Sequence, residues 1–128
     1  MMPTGFSLYC YIAAGGAVGA CLRYFFTTTI DSVLGKALPF GTLIVNVIGS
    51  FCLVLLYSFI ERQELAESPY RALLGIGLLG AFTTFSTFSV ETLSLLNNGL
   101  WLKAISNIIL NVGACLLAGW LAIELIKG

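Results

Sequence analysis

The sequence predicts an all-α integral membrane protein with four membrane-crossing helices. Three observations carry this. Of the 128 residues, 59% are hydrophobic and 9% charged. The mean hydropathy is +1.00. The charges also sit mostly at the boundaries of long apolar runs. A soluble domain has roughly a quarter of its residues charged, and six basic plus six acidic side chains cannot cover a water-soluble globule of this length.

Each helix follows from the spacing of those charges. Residues 1–22 carry no side-chain charge, Arg23 interrupts, and 24–30 are again neutral. Residues 37–60 form an uncharged run of 24, and 104–123 one of 20. Between 72 and 102 the only charge is Glu91. About 20 helical residues cross the hydrocarbon core, so spans are expected at roughly 7–30, 39–60, 70–96 and 101–126, in one membrane domain over 1–128. The first apolar stretch lacks a positive leader and is long enough to span, so it reads as a helix rather than a signal peptide. The connections are short. Asp31, Gly35 and Lys36 lie in the first, with Pro39 just beyond. Glu61, Arg62, Glu64, Glu67 and Pro69 mark the second, and Asn97-Asn98-Gly99 the third.

Composition also excludes functions. Net charge is zero with no basic run, so the electrostatic footprint of nucleic-acid binding is absent. No histidine is present, which removes imidazole catalysis and imidazole metal sites. Cys10, Cys21, Cys52 and Cys115 lie singly in apolar runs without CxxC spacing and read as packing residues. With no nucleophile–base set and no cofactor motif, an enzyme is not expected.

With four spans, Arg62, Arg71 and Lys127 fall on one side, and Lys36, Lys103 and Arg23 on or near the other. The positive-inside rule therefore gives almost no orientation. Two readings remain: the free N-terminus or one further charge decides, or the chain inserts both ways up, which permits an antiparallel homodimer. Gly15 with Gly19 on helix 1, and glycines on helices 3 and 4, favour close helix approach.

Polar residues inside a bilayer are costly and mark candidate function. Helix 3 contains Gly80-Ala81-Phe82-Thr83-Thr84-Phe85-Ser86-Thr87-Phe88-Ser89-Val90-Glu91, with five hydroxyl residues in seven positions and Phe at every third. Ser and Thr compete for backbone hydrogen bonds, which points to a break near mid-membrane whose freed carbonyls could ligate Na⁺; hydroxyls bonding back into an ordinary helix is the other reading. On helix 2, Asn46 stands alone among apolar neighbours, able to hold an anion or to clasp another helix's backbone. On helix 4, Asn107, Asn111 and Cys115 recur at i, i+4, i+8 and share a face, serving as interhelical glue or as the wall of a wet path. Arg23 either snorkels to the interface or draws anions into a vestibule. Glu91 is a hydrogen-bond anchor or a protonatable transport residue.

Residues 80–91 strongly resemble the signature of the Fluc (CrcB) small fluoride channels. Gly41-Thr-Leu-Ile-Val-Asn-Val-Ile-Gly (41–49), and Gly19 followed by Arg23-Tyr24, resemble that family's other two motifs. The resemblance covers the whole chain, with three motifs in order. It implies an antiparallel, dual-topology homodimer in the bacterial inner membrane, with two pathways for passive F⁻ efflux and a central structural Na⁺. Carried over by position, Phe85 and Phe88 are the pore rings, one kind from each subunit per pathway, and Asn46 is the pore amide. Thr84 and Ser86 lie close to the path, and Glu91, Asn107 and Asn111 form a polar track beside it. Arg23 is the vestibule arginine, and the Gly80 and Thr83 carbonyls hold the Na⁺. Where many members carry Gly-Ser, this chain has Ala114-Cys115, and a thiol is the weaker donor. The alternative is a small dual-topology, proton-coupled multidrug antiporter using Glu91. A membrane scaffold would fit if helix 3 were continuous and dry.

Overall fold

The structure, a computed structural model, describes residues 5–128, and every regular element within them is a helix. Helix α1 covers Gly5–Leu34 and α2 covers Phe40–Glu61. Three pieces follow in line: α3 at Arg71–Leu79, α4 at Gly80–Phe82 and α5 at Phe85–Asn97. Helix α6, Trp101–Lys127, closes the chain. Counting Arg71–Asn97 as one, four stretches among the described residues are long and apolar enough to cross a membrane. Apolar side chains face outward on all of them, among them Phe25, Leu102, Leu116 and Trp120, as expected for helices solvated by lipid rather than water. The protein is a multi-pass membrane protein.

Local chemistry fixes the turns. The Asp31 carboxylate, in the last turn of α1, accepts a hydrogen bond from the Gly41 N–H at 2.9 Å. It thus places negative charge on the positive end of α2, which Pro39 precedes without a side-chain cap. Gly41 leaves no room for a Cβ, which would meet the backbone of Thr27. At the other end of the bundle α5 stops on Gly99, whose φ of 75° suits a residue without Cβ. There Leu100 N–H bonds Leu95 O and Gly99 N–H bonds Leu96 O, the Schellman pattern.

Packing pairs α1 with α3 and α2 with α6. Helix α3 is wound in wide π turns, and the Gly80 N–H reaches Gly75 O, five residues back. Its carbonyls at Leu73 and Leu78 press on Gly15 and Gly19 of α1, where a Cβ would collide with them. The small residues of helix 1 therefore seat a backbone rather than a side chain. The start of α3 is tied to α2 by the Arg71 guanidinium, 4.7 Å from the centre of the Tyr57 ring.

Between α4 and α5 the backbone leaves the helical region. Thr83 has φ −86° and ψ 157°, Thr84 φ −152° and ψ 117°. The Thr84 side chain then caps α5 by accepting from the Thr87 N–H at 3.1 Å. Phe82, just before this link, is buried and meets Phe26 edge to face at 5.9 Å.

Because the obstacle at Gly19 is backbone, Gly19→Ala is expected to cost ~3 kcal/mol, the upper part of the usual overpacking range. Gly113, with nothing within 4 Å of a built Cβ, is the control. Thermal unfolding in detergent should show a clear loss for Gly19→Ala and none for Gly113→Ala.

Candidate functional site

The extended link at Thr83 and Thr84 costs the third span its local hydrogen bonds, and the surrounding side chains replace several of them. In a continuous helix the Thr84 N–H would donate to Gly80 O. Here it donates to Asn46 Oδ1 at 2.8 Å. The Asn46 amide returns the bond, donating through Nδ2 to Thr84 O at 3.1 Å. One side chain thus pairs with both backbone groups of one residue, much as a neighbouring strand would. Of the two functions open to Asn46, clasping the backbone is the one its geometry fulfils.

The same Nδ2 donates to Asn111 Oδ1 at 3.1 Å, so both amide hydrogens of Asn46 are engaged. From there a chain of bonds runs along α6. Asn111 Nδ2 donates to Asn107 O and Oδ1, each at 3.0 Å. Asn107 Nδ2 donates to Thr92 Oγ1 at 2.9 Å, and the Thr92 hydroxyl donates to Phe88 O at 2.8 Å. Asn46, Asn107, Asn111 and Thr92 are all buried. Such a network is stable in a low-dielectric interior because each member is satisfied. Thr92, which sequence reasoning missed, is its junction with α5.

Arg23 takes up another carbonyl freed near the break. Its Nε donates to Ala81 O at 3.0 Å, the oxygen that Phe85 N–H would reach in an unbroken helix. The carbonyls of Gly80 and Thr83 lose their helical donors as well, since Thr84 N–H turns to Asn46 and Thr87 N–H to the Thr84 hydroxyl.

Beside the link opens a cleft of about 320 Å³ whose walls include Asn46, Ser50, Thr84, Phe85, Phe88, Asn111 and Cys115. The two rings lie 5.4 Å apart, tilted by 54°. Phe88 is 7% exposed and Phe85 76%, so one ring is set in the bundle while the other stands open. Ser86 is one bond away, its hydroxyl 3.3 Å from that of Thr84.

Not every candidate converges here. Asn107 lies behind Asn111 and reaches the cleft only through it. Glu91 lines a separate cavity of about 370 Å³ with Asp31, Lys36 and Ser94. Its carboxyl faces the Thr42 hydroxyl, while Oε1 is buried without a partner. Arg23 meets the link from the α1 side.

A four-span membrane bundle whose interrupted helix borders a cleft of phenyl rings and neutral polar groups is an arrangement that membrane transport proteins use. Residues 10–123 match the family described as CrcB-like protein, Camphor Resistance (CrcB), and the chain belongs to that family. A protein of Alteromonas mediterranea named fluoride-specific ion channel FluC is 75% identical over 127 residues, covering 99% of this chain and all of the relative. Relatives with the same name come from Pseudoalteromonas translucida, 50% identical over 115 residues (90% of this chain, 96% of the relative), and Vibrio vulnificus, 43% identical over 122 residues (95% and 97%).

Asn46→Ala would strand three groups, Thr84 N–H, Thr84 O and Asn111 Oδ1. At ~1–3 kcal/mol for each buried orphan, the expected destabilisation is about 3 kcal/mol or more. Ser106, exposed on α6, should tolerate Ala within ~0.5 kcal/mol. Equal melting of the two variants in detergent would contradict the role given to the Asn46 clasp.

Proposed function

We propose that this protein is a fluoride-selective channel that lets F⁻ leave the cytoplasm passively across a bacterial inner membrane. The observation that carries the reading is the cleft itself, where two phenyl rings and neutral polar groups meet at the interrupted third span. Family membership and the names of the relatives agree with it.

Fluoride holds its water tightly, so a conducting path must offer replacement donors. Ring edges carry the positive side of the aromatic quadrupole, and hydroxyl and thiol groups add further weak sites. A fixed full charge deep in the path would trap the ion, whereas conduction needs several sites that release it. The lining of the cleft is uncharged, in keeping with that requirement. A negative-inside potential then drives the anion outward, with no covalent step.

The working unit is an antiparallel homodimer with two pathways. Balanced positive charge on the two sides supports dual insertion, and the exposed Phe85 ring beside a buried Phe88 leaves the cleft one wall short in a single chain. In the dimer each path takes one kind of ring from each subunit. Thr84 and Ser86 lie at its side, Asn46, Asn107 and Asn111 form the rigid back wall, and Cys115 extends the polar face. Glu91 lies along the route toward the cavity shared with Lys36, and Arg23 approaches the link from the vestibule side.

A structural Na⁺ at the dimer centre would be held by the carbonyl oxygens of Gly80 and Thr83. The residues fit it, since both oxygens have lost their helical donors and unwound carbonyls are suitable Na⁺ ligands. Bound there, Na⁺ would supply positive charge between the carbonyls of Gly80 and Thr83 from the two subunits.

Efflux from liposomes tests the reading. Purified protein should release trapped F⁻, exclude Cl⁻ and need no proton gradient; drug-coupled proton movement without passive F⁻ flux would point to an antiporter instead. Phe85→Ile and Phe88→Ile should each slow F⁻ release by about tenfold or more, equivalent to ~1.4 kcal/mol per ring. Unchanged flux in both variants would remove the rings from the mechanism.

A further inference from the structure

Not every polar group facing the cleft has a hydrogen left to give. Asn46 has committed both amide hydrogens, to Thr84 O and to Asn111. Asn111 has committed its own to Asn107 O and Oδ1, and Thr83 donates to Leu79 O at 3.1 Å. Of the Thr84 and Ser86 hydroxyls one donates to the other, and Thr84 Oγ1 also accepts from the Thr87 N–H, so the pair is held together with one hydrogen to spare. Ser50 stands apart. It lies one helical turn beyond Asn46 on α2, half-buried, on the wall of the same cleft. Hydroxyls in membrane helices commonly bond back to a carbonyl one turn earlier, and Ser58, Ser89 and Thr92 do so here. Ser50 makes no such bond and no other among the described residues. The Cys115 thiol, a weak donor, lines the same cleft.

We propose that the Ser50 hydroxyl, a strong donor on the cleft wall that makes no hydrogen bond among the described residues, is a direct fluoride ligand beside Phe85 and Phe88. The proposal rests on the channel reading above and adds a coordinating residue to it. The amides brace the cleft and the hydroxyl binds. An O–H bond to a partly dehydrated anion is charge-assisted and roughly twice as strong as a neutral one. Losing it therefore weakens occupancy of that site rather than the fold.

The test is the fluoride concentration that gives half-maximal flux in liposomes, for wild type, Ser50→Ala and Ser50→Thr, with melting temperature and size-exclusion elution measured on each. Ser50→Ala is expected to raise that concentration about tenfold while melting and elution stay unchanged, and Ser50→Thr, which keeps the hydroxyl, to remain close to wild type. A folded Ser50→Ala with wild-type half-saturation overturns the proposal. So does an equal shift in both variants, which would trace the effect to packing. Absence of F⁻ flux in the wild type would instead overturn the channel reading itself.

Discussion

A single amide sets the geometry around the interrupted span. Asn46 accepts from the Thr84 N–H and donates to the Thr84 carbonyl, and this pairing lets an extended residue exist inside a bundle solvated by lipid. An unpaired peptide group in hydrocarbon costs several kcal/mol, so a break survives only where side chains replace the lost helical bonds. Asn suits the position because its side chain carries the donor and acceptor of a peptide group. Asp would lack the donor, and Leu both.

Most of the site follows from that pairing. With Thr84 turned outward from the helix, Thr87 N–H is capped by the Thr84 hydroxyl, and Ala81 O is taken up by Arg23 from across the bundle. The second hydrogen of Asn46 opens the chain through Asn111, Asn107 and Thr92 that ends on Phe88 O. That chain couples the extended link to the helix carrying the rings, so the position of the Phe88 backbone depends on an amide on α2. The division of labour is physical. Buried, mutually satisfied amides supply rigidity, while the Ser50 hydroxyl on the same cleft makes no bond among the described residues.

Much of this was legible in the sequence, and the reasons differ by residue. The four spans could be read because lipid solvation demands long runs without charge, and the charges at Asp31, Lys36, Glu61 and Lys103 delimit them. Asn107 and Asn111 could be placed on one face because helical periodicity alone decides it. Asn46 was conspicuous as an amide among apolar neighbours, yet its partner lies 38 residues away, a distance no local pattern reports. The bond from Arg23 to Ala81 O spans 58 residues and is equally invisible. The wide winding of α3, whose carbonyls lie against Gly15 and Gly19 of α1, has no propensity signal in the sequence. Phe82, Phe85 and Phe88 look equivalent as a repeat, but only tertiary structure sends Phe82 against Phe26 and leaves the other two on the cleft.

The proposed function requires the uncharged cleft to select and pass one small anion. Recording from the purified protein in a planar bilayer, with fluoride and chloride gradients set in opposite directions, tests it most directly. A fluoride channel gives a current whose reversal potential follows the fluoride gradient, about 59 mV per tenfold for a monovalent ion. A reversal potential that tracks chloride or protons, or a bilayer that stays silent with folded protein present, would contradict it.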